Sequence, residues 1–187
     1  MASLSPLSVA AKVFLTVDEA LDLAFPGCEV TRRTVYLTEP QRRRVAALAG
    51  TPLTGAVVHP YEARCDGEPA GVAYFDVHRV RTLPETLMVV VDPHGAVARV
   101  EVLAFDEPQE YVPRDAWYQQ FPGRSLDAEL QLKRGIHPVT GATLTARATT
   151  DATRRVLALH RVLQDGGRAG RPREGRGDAP GPGGGSR

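Results

Sequence analysis

The sequence predicts an α+β fold in which an antiparallel sheet packs against helices. Three observations carry this prediction. Two segments near the N-terminus carry helix-capping boxes, the middle of the chain holds apolar runs separated by turn dipeptides, and a long amphipathic segment follows. The chain has 187 residues, of which 42% are hydrophobic and 24% charged, a composition typical of one globular domain.

Composition also bounds the function. The formal net charge is +1, so no strong field favours nucleic acid, and no nucleic-acid partner is expected. No signal peptide or transmembrane helix is evident, because the N-terminus lacks a basic region and no apolar run reaches 18 residues. We expect an irregular start over 1–12, one folded domain over 13–164 and a disordered Gly/Pro/Arg-rich tail over 165–187.

The first helix is predicted in "TVDEALDLAF". Thr16 and Glu19 have the spacing of a capping box, and a Pro-Gly pair follows the last apolar residue. Ala20, Leu23 and Ala24 fall on one side of this helix and are its predicted buried face.

The second helix is predicted in "TEPQRRRVAALAG". Thr38 is the expected cap, Pro40 lies in the first turn, Gln41 closes the capping box and Gly50 ends the helix. The three consecutive arginines over 42–44 are expected to form a solvated helix face rather than a phosphate-binding patch.

Strands are predicted from about residue 53. The Asp66-Gly67 pair is a hairpin signal between "LTGAVVHPYEAR" and "PAGVAYFDVH". The continuous apolar run "ETLMVVVD" indicates a central strand, and "AVARVEVLAF" returns after a turn over 93–95. The result is an antiparallel, half-barrel-like meander of about four strands, with helices covering one face.

Three groups of polar side chains are candidates for a site. Cys28 and Cys65 are expected to be buried thiols, with a single disulfide left open. A cluster of charged and polar residues in "FDVHRVR" is expected to form a salt-linked strand edge rather than contacts with a cofactor or partner. Its members are Asp76, His78, Arg79 and Arg81. Four of the five histidines were candidates for a metal site, but their spacing matches no zinc pattern: His59, His78, His94 and His137.

The last third of the chain predicts an aromatic plug and a long helix. Trp117, Tyr118 and Phe121 in a short helix over 116–121 are expected to fill the core under a loop. The long helix is predicted over 141–164. Its apolar stripe is Leu144, Ala148, Ala152, Val156, Leu159 and Leu163, and its off-stripe charges are Arg147, Asp151, Arg154 and Arg155.

A Thr-Gly-Ala-Thr cluster opens this helix. Pro138 prevents an earlier start, and Gly141 allows close approach of the backbone. The first amides of a helix have no internal partner and bind phosphate readily. The candidate binding residues are Thr140, Gly141, Ala142, Thr143, Leu144 and Thr145; the alternative is that Thr140 caps the helix while Thr143 and Thr145 fill a surface.

The segment "HPVTGATLT" resembles the flavinylation site of the FMN-binding domain family. That family includes the C subunit of the sodium-translocating NADH:quinone reductase and the G subunit of the RNF electron-transport complex. There, FMN is attached by a phosphoester to the threonine directly after Gly-Ala, which is the position of Thr143. A dedicated FAD:protein FMN transferase installs the FMN.

The resemblance extends over roughly residues 55–163. The hairpin "VVVDPHGAVARVEVL" has the family's form, and the family's later motif is matched by Glu107, Trp117, Gln120, Phe121 and Gly123. Two departures stand out. His137 replaces the family's aspartate, and "DEPQEYVP" replaces a Glu-Thr-Pro-Gly turn.

The resemblance implies a covalent flavoprotein that carries electrons rather than a stand-alone enzyme. Its implied partners are the FMN transferase and redox proteins of a membrane-associated respiratory chain, and its implied location is extracytoplasmic, for example periplasmic. Three alternatives stay open at this point: a protein that binds FMN without a covalent bond, a small flavin-dependent reductase, and a cofactor-free binding module.

Overall fold

The structure is a computed structural model, and it describes residues 12–169. Of the expected irregular start, Lys12 instead begins a strand, and 1–11 lie outside the described residues. Of the expected tail, residues 165–169 instead continue the last helix, and 170–187 lie outside the described residues.

The main feature is a six-stranded antiparallel sheet with helices on both sides. The strands in chain order are β1 Lys12–Val13, β2 Glu29–Arg32, β3 Val35–Tyr36, β4 Val57–Val58, β5 Tyr61–Cys65, β6 Glu68–Arg79, β7 Pro84–Val91 and β8 Val97–Phe105. The helices are α1 Val17–Ala24, α2 Glu39–Ala49, α3 Asp115–Tyr118 and α4 Thr143–Ala169, and a 3₁₀ turn spans Gln109–Tyr111. The predicted α+β class with a long last helix is confirmed.

The sheet contains the predicted meander. Its order is β1-β8-β7-β6-β5-β2, so β5 to β8 pair consecutively and β7 is central. The hairpin between β5 and β6 turns at Asp66 and Gly67, whose φ angles of 53° and 83° suit a two-residue hairpin turn. Two edge strands, β1 and β2, were not predicted, because each is only two to four residues long. β3 and β4 form a separate pair.

The sheet is covered on both faces, whereas the sequence predicted a cover on one. The five residues Leu87 to Val91 of β7 are each at most 3% exposed. On one face, Ala20, Leu21 and Phe25 of the α1 segment pack on the sheet, and on the other lie α2 and α4. A strand buried on both sides reads as a continuous apolar run, which is the pattern of β7.

Both predicted capping boxes are present. Thr16 and Glu19 bond reciprocally at the start of α1, and Thr38 and Gln41 do so at α2, which ends at the left-handed Gly50. The predicted buried face of α1 is wrong in one position: Leu23 is 47% exposed. The arginines over 42–44 lie on a solvated face, as predicted, and their ion pairs are with Glu39 and Asp165.

The buried stripe of α4 differs from the prediction. Ala152, Val156 and Leu159 are buried, but Leu144 is 51% exposed. Its place is taken by threonines that are at most 1% exposed, namely Thr145, Thr149, Thr150 and Thr153. The hydroxyls of Thr150 and Thr153 donate to the carbonyls four residues earlier, at 2.7 and 2.9 Å. This internal bond lets a threonine pack its methyl group like an apolar residue.

The aromatic plug is confirmed. Trp117, Tyr118 and Phe121 are at most 8% exposed, and the Trp117 ring meets the other two edge-on at 5.1 and 5.3 Å between centroids. The short helix carrying them ends at Tyr118 rather than at residue 121.

The prediction of two thiols is wrong, because Cys28 and Cys65 form a disulfide. Cys28 lies just before β2 and Cys65 ends β5, and these strands are neighbours. The two Cα atoms are 4.4 Å apart. Such a pairing depends on which strands are adjacent, and the spacing of the cysteines in the sequence does not show it.

Candidate functional site

The Thr-Gly-Ala-Thr cluster forms the entry to α4. Gly141 has φ of 85°, in the left-handed region that favours glycine. A Cβ atom at that position would meet nothing within 4 Å, so the space above the turn is open. Ala142 is 4% exposed, and its carbonyl accepts the first helical bond from the amide of Ala146 at 2.9 Å. The helix therefore starts at Thr143 with open space beside it.

The three threonines of the cluster have different environments. Thr143 is exposed, and its hydroxyl donates to the carbonyl of Val139 at 3.3 Å. Thr145 is buried, and its hydroxyl donates to the carbonyl of Tyr111 at 2.6 Å. Thr140 is exposed and does not cap the helix, since no side-chain hydrogen bond within residues 12–169 involves it.

The helix start favours an anion. Ala142 has no polar side chain, so the amides of the first turn keep the donors that a capping residue would satisfy. The first turn carries no acidic residue. Arg147, one turn further on, is exposed and adds positive charge. The positive end of the helix dipole stabilises a nearby phosphate by roughly 0.3–1 kcal/mol. The residues at this end therefore fit a phosphate group.

The approach to the cluster is held by two side chains of the Trp-x-x-Gln motif. The indole Nε1 of Trp117 donates to the carbonyl of His137 at 2.7 Å, and the amide of His137 donates to Oε1 of Gln120 at 2.8 Å. Both backbone groups of residue 137 are thus fixed, while its side chain is exposed. The hydrogen bonds that hold this segment therefore involve the backbone of His137 and not its side chain.

Glu107 has a structural role in the β6–β7 loop. Its Oε1 accepts from the amides of Thr82 and Leu83 at 2.6 and 2.8 Å and from the Thr82 hydroxyl at 3.0 Å. These bonds, led by the Thr82 amide, lower the pKa of Glu107. The acidic residue of the motif therefore orders a loop.

A cluster of buried charges lies between the sheet and α4. Asp76 accepts from Arg155 of α4 at 2.7 and 3.2 Å, and Nδ1 of His78 lies 2.9 Å from Asp76 Oδ1. Nε2 of His78 lies 2.9 Å from Glu85 Oε2 on the facing strand, and Glu85 is 0% exposed. The predicted salt-linked edge is thus an interior cluster. Arg79 and Arg81 remain exposed, and Arg155, predicted off the buried stripe, is 9% exposed.

Burial and charge act in opposite directions on this cluster. Burial favours neutral histidine, but the hydrogen bonds and charges of Asp76 and Glu85 outweigh it and raise the pKa of His78 to about 9. Burial also disfavours ionised Asp76, yet bonds from His78 and Arg155 lower its pKa below the ordinary range. For Glu85 burial dominates, and its pKa is raised. Asp76 and His78 are therefore held as a charged pair at neutral pH.

Two properties of the described residues bear on the class of site. Among residues 12–169, no group of three or more His, Cys, Asp or Glu side chains is arranged to hold a metal ion. Within the same residues, every helix is too short or too polar to cross a membrane.

Comparisons with known proteins add no assignment. No protein-family model and no curated protein matches this chain.

Proposed function

We propose that this protein is an FMN-binding electron-transfer flavoprotein in which Thr143 carries FMN through a phosphoester. The main observation in support is the exposed Thr143 at the first residue of α4, at the positive end of the helix and two residues after Gly141, which borders open space. The sequence around it resembles a flavinylation motif. The backbone bonds from Trp117 and Gln120 that position the preceding segment are consistent with a defined attachment point.

The residues of the cluster have separate roles in this proposal. Thr143 supplies the oxygen of the phosphoester in a transfer from FAD, in which the bond between the two phosphates of FAD breaks and AMP and the hydroxyl proton are released. Gly141 leaves room for the phosphate. Leu144 and Thr145 contribute backbone amides, because the Thr145 hydroxyl is already bonded to Tyr111. Thr140 is an exposed hydroxyl beside the phosphate, and Ala142 packs inward. Bound FMN supplies the redox chemistry, and the protein positions it.

The partners follow from the same proposal. An FAD:protein FMN transferase matures the protein, and redox proteins, some of them membrane-bound, exchange electrons with it. An extracytoplasmic location is supported by the disulfide between Cys28 and Cys65, because disulfides persist in oxidising compartments such as the periplasm.

Loss of the Thr143 hydroxyl is expected to abolish covalent flavin. The chain and its Thr143→Ala variant are co-expressed with an FMN transferase, denatured and weighed intact. We expect a gain on the order of 440 Da, FMN minus water, in the parent chain and none in the variant. Thr140→Ala is the matched control, since it removes a neighbouring exposed hydroxyl and should keep the added mass.

The other outcomes are equally clear. An unmodified mass together with yellow colour that is lost on denaturation would replace covalent attachment by reversible FMN binding. A colourless, unmodified protein would overturn the flavin proposal. NADH oxidation by the purified flavoprotein without added partners would indicate a reductase rather than a carrier.

Position 137 is expected to control how well the transferase recognises the site. His137 is exposed and only its backbone is used by the fold, so His137→Asp restores the motif's carboxylate without loss of packing. We expect the flavinylation rate to rise roughly tenfold, equivalent to about 1.4 kcal/mol of recognition. The measurement is the time course of the mass gain, with the urea midpoint as a check that stability is unchanged. An equal rate for both side chains would show that the transferase does not read this position.

A further inference from the structure

The second half of α4 borders a cavity of about 870 Å³ with both polar and apolar residues in its lining. It lies between this part of the helix, the β7–β8 turn and the β5–β6 hairpin, and its lining includes Leu157, His160 and Arg161. His160 follows Thr143 by 17 residues on the same helix, which corresponds to about 25 Å along the axis. The cavity is therefore separate from the Thr143 site.

A buried histidine lines this cavity and contacts a buried tyrosine. His160 is 7% exposed, and its Nδ1 lies 3.0 Å from the hydroxyl of Tyr74, which is 4% exposed. Burial lowers the pKa of His160 and raises that of Tyr74, so the imidazole is neutral and the phenol keeps its proton near pH 7. We assign the Tyr74 hydroxyl as donor to Nδ1, which leaves Nε2–H of His160 as a donor. Within residues 12–169, Nε2 has no hydrogen-bond partner.

The acidic residues of the wall are largely committed to other partners. Glu62 is paired with Arg33 at 2.9 Å, and Asp165 is paired with Arg44 at 2.7 Å. Oδ1 of Asp92 accepts two backbone amides of its own turn at 2.8 and 2.9 Å. Asp92 is therefore the one lining acid that, among the described residues, lacks a cationic partner.

The cationic residues keep free donors. Arg161 is exposed and forms no ion pair or side-chain hydrogen bond within the described part of the chain. Arg64 uses one Nη1 contact, to the carbonyl of Gly67 at 2.9 Å. Glu62 and Asp165 are held in ion pairs, so the two guanidinium groups outnumber the one unpaired lining carboxylate, Asp92. The charge of Asp92 also acts on His160. The wall suits a ligand that is negatively charged and rich in acceptor oxygens.

We propose that this cavity binds a small organic phosphate of about mononucleotide size. Its volume lies within the range of roughly 300–1,000 Å³ that is typical of small-molecule sites and exceeds the need of inorganic phosphate. Guanidinium groups match phosphate oxygens in geometry, which assigns the phosphate to Arg64 and Arg161. His160, on the buried wall, then donates to the organic part of the ligand. The proposal is independent of any flavin at Thr143.

The test is a titration of the full chain with adenosine 5′-monophosphate, inorganic phosphate and citrate. Binding is followed by calorimetry and by the NMR shift of the His160 ring nitrogens. We expect saturable binding of adenosine 5′-monophosphate that perturbs His160 Nε2 and is weakened at least tenfold by Arg161→Glu, a change of about 1.4 kcal/mol or more. Thr143→Ala should bind equally well, because its site lies at the other end of α4.

Arg43→Glu is the matched control, since Arg43 is also exposed and lies outside the cavity lining. An equal loss of affinity in Arg43→Glu and Arg161→Glu would show non-specific charge attraction and overturn the proposal. Binding of citrate but not of the phosphate ester would overturn the ligand class. A His160 signal that none of the three probes shifts at millimolar concentration would exclude the site.

Discussion

Asp76→Ala is expected to lower the free energy of unfolding by about 3–5 kcal/mol, the range for removal of one partner from a buried ion pair. Asp76 is the acceptor for both Arg155 and His78, and its side chain is 13% exposed. Without its carboxylate, two cations remain in the interior, where Glu85 bonds only to His78 and Asp151 acts on Arg155 through its charge alone. Urea denaturation at neutral pH measures the loss.

The control for this variant is a salt bridge at the surface of the same sheet. Arg33 and Glu62 pair at 2.9 Å, with side chains 59% and 45% exposed. Exposed pairs contribute about 0–1 kcal/mol, so Arg33→Ala should change stability little. If Asp76→Ala and Arg33→Ala had similar small effects, the interior cluster would have no special role in stability.

The pH dependence of stability gives an independent check of this cluster. The folded pKa of His78, about 9, lies above its ordinary 6.5, so its contribution is complete below about pH 6.5 and is lost as pH rises through 9. The folded pKa of Asp76 lies below its ordinary 3.8, so its contribution is present above that pH and is lost on acidification. These groups face Glu85 on β7 and Arg155 and Asp151 on α4.

Replacement of His78 should remove the alkaline part of this dependence. In His78→Gln, the decrease in unfolding free energy between neutral pH and about pH 10 should be smaller than in the parent chain. His94→Gln, at an exposed turn, should leave the decrease unchanged. An undiminished alkaline decrease in His78→Gln would assign it to other groups.

The parts of the fold set by local sequence were predictable. The capping boxes at Thr16 and Thr38, the hairpin at Asp66 and Gly67 and the apolar run of β7 each depend on a few neighbouring residues, and each is present. The short edge strands were missed, because their pairing is decided by the partner strands β5 and β8 rather than by their own residues.

The face of α4 shows why apolar periodicity alone was insufficient. The prediction placed Leu144 inside and gave no weight to Thr150 and Thr153, yet Leu144 is exposed and both threonines are buried. A threonine that bonds to the carbonyl one turn earlier hides its hydroxyl, so its burial cost falls and it takes a place in the core. The threonines after Thr143 are thus buried in the core, whereas the exposed Thr140 and Thr143 at the helix start are not explained by packing.

The candidate site was predictable because its residues are contiguous from Thr140 to Thr145. Its supports were only partly predictable: Trp117 and Gln120 appeared as motif residues, but their bonds to the backbone of His137 bring together positions 17 or more residues apart. Salt links among Asp76 and its neighbours were predicted, but their burial was not. The burial depends on Arg155 of α4, which the helical period had placed off the apolar stripe. Long-range pairing of this kind leaves no signal in a single sequence.

Removal of the Cys28–Cys65 bridge is the second large effect expected. The two residues are separated by 37 positions, and closure of a loop of that length restricts the unfolded chain by about 3–4 kcal/mol in the chain-entropy model. For a chain of this size, each kcal/mol shifts Tm by about 2–4 °C, so the Cys28→Ser, Cys65→Ser double variant should melt roughly 10 °C lower. The bridge also fixes the β2 edge, whose pairing with β5 is only four residues long.

Differential scanning calorimetry with and without dithiothreitol isolates this contribution. Reductant should lower the Tm of the parent chain toward that of the double variant and leave the variant itself unchanged. Flavinylation at Thr143 should proceed in the variant at temperatures below its Tm, because no contact of the attachment site involves either cysteine. If reductant left the Tm of the parent chain unchanged, the bridge would have no stabilising role. The bridge would then also give no support to an oxidising location, because structural disulfides are a feature of oxidising compartments.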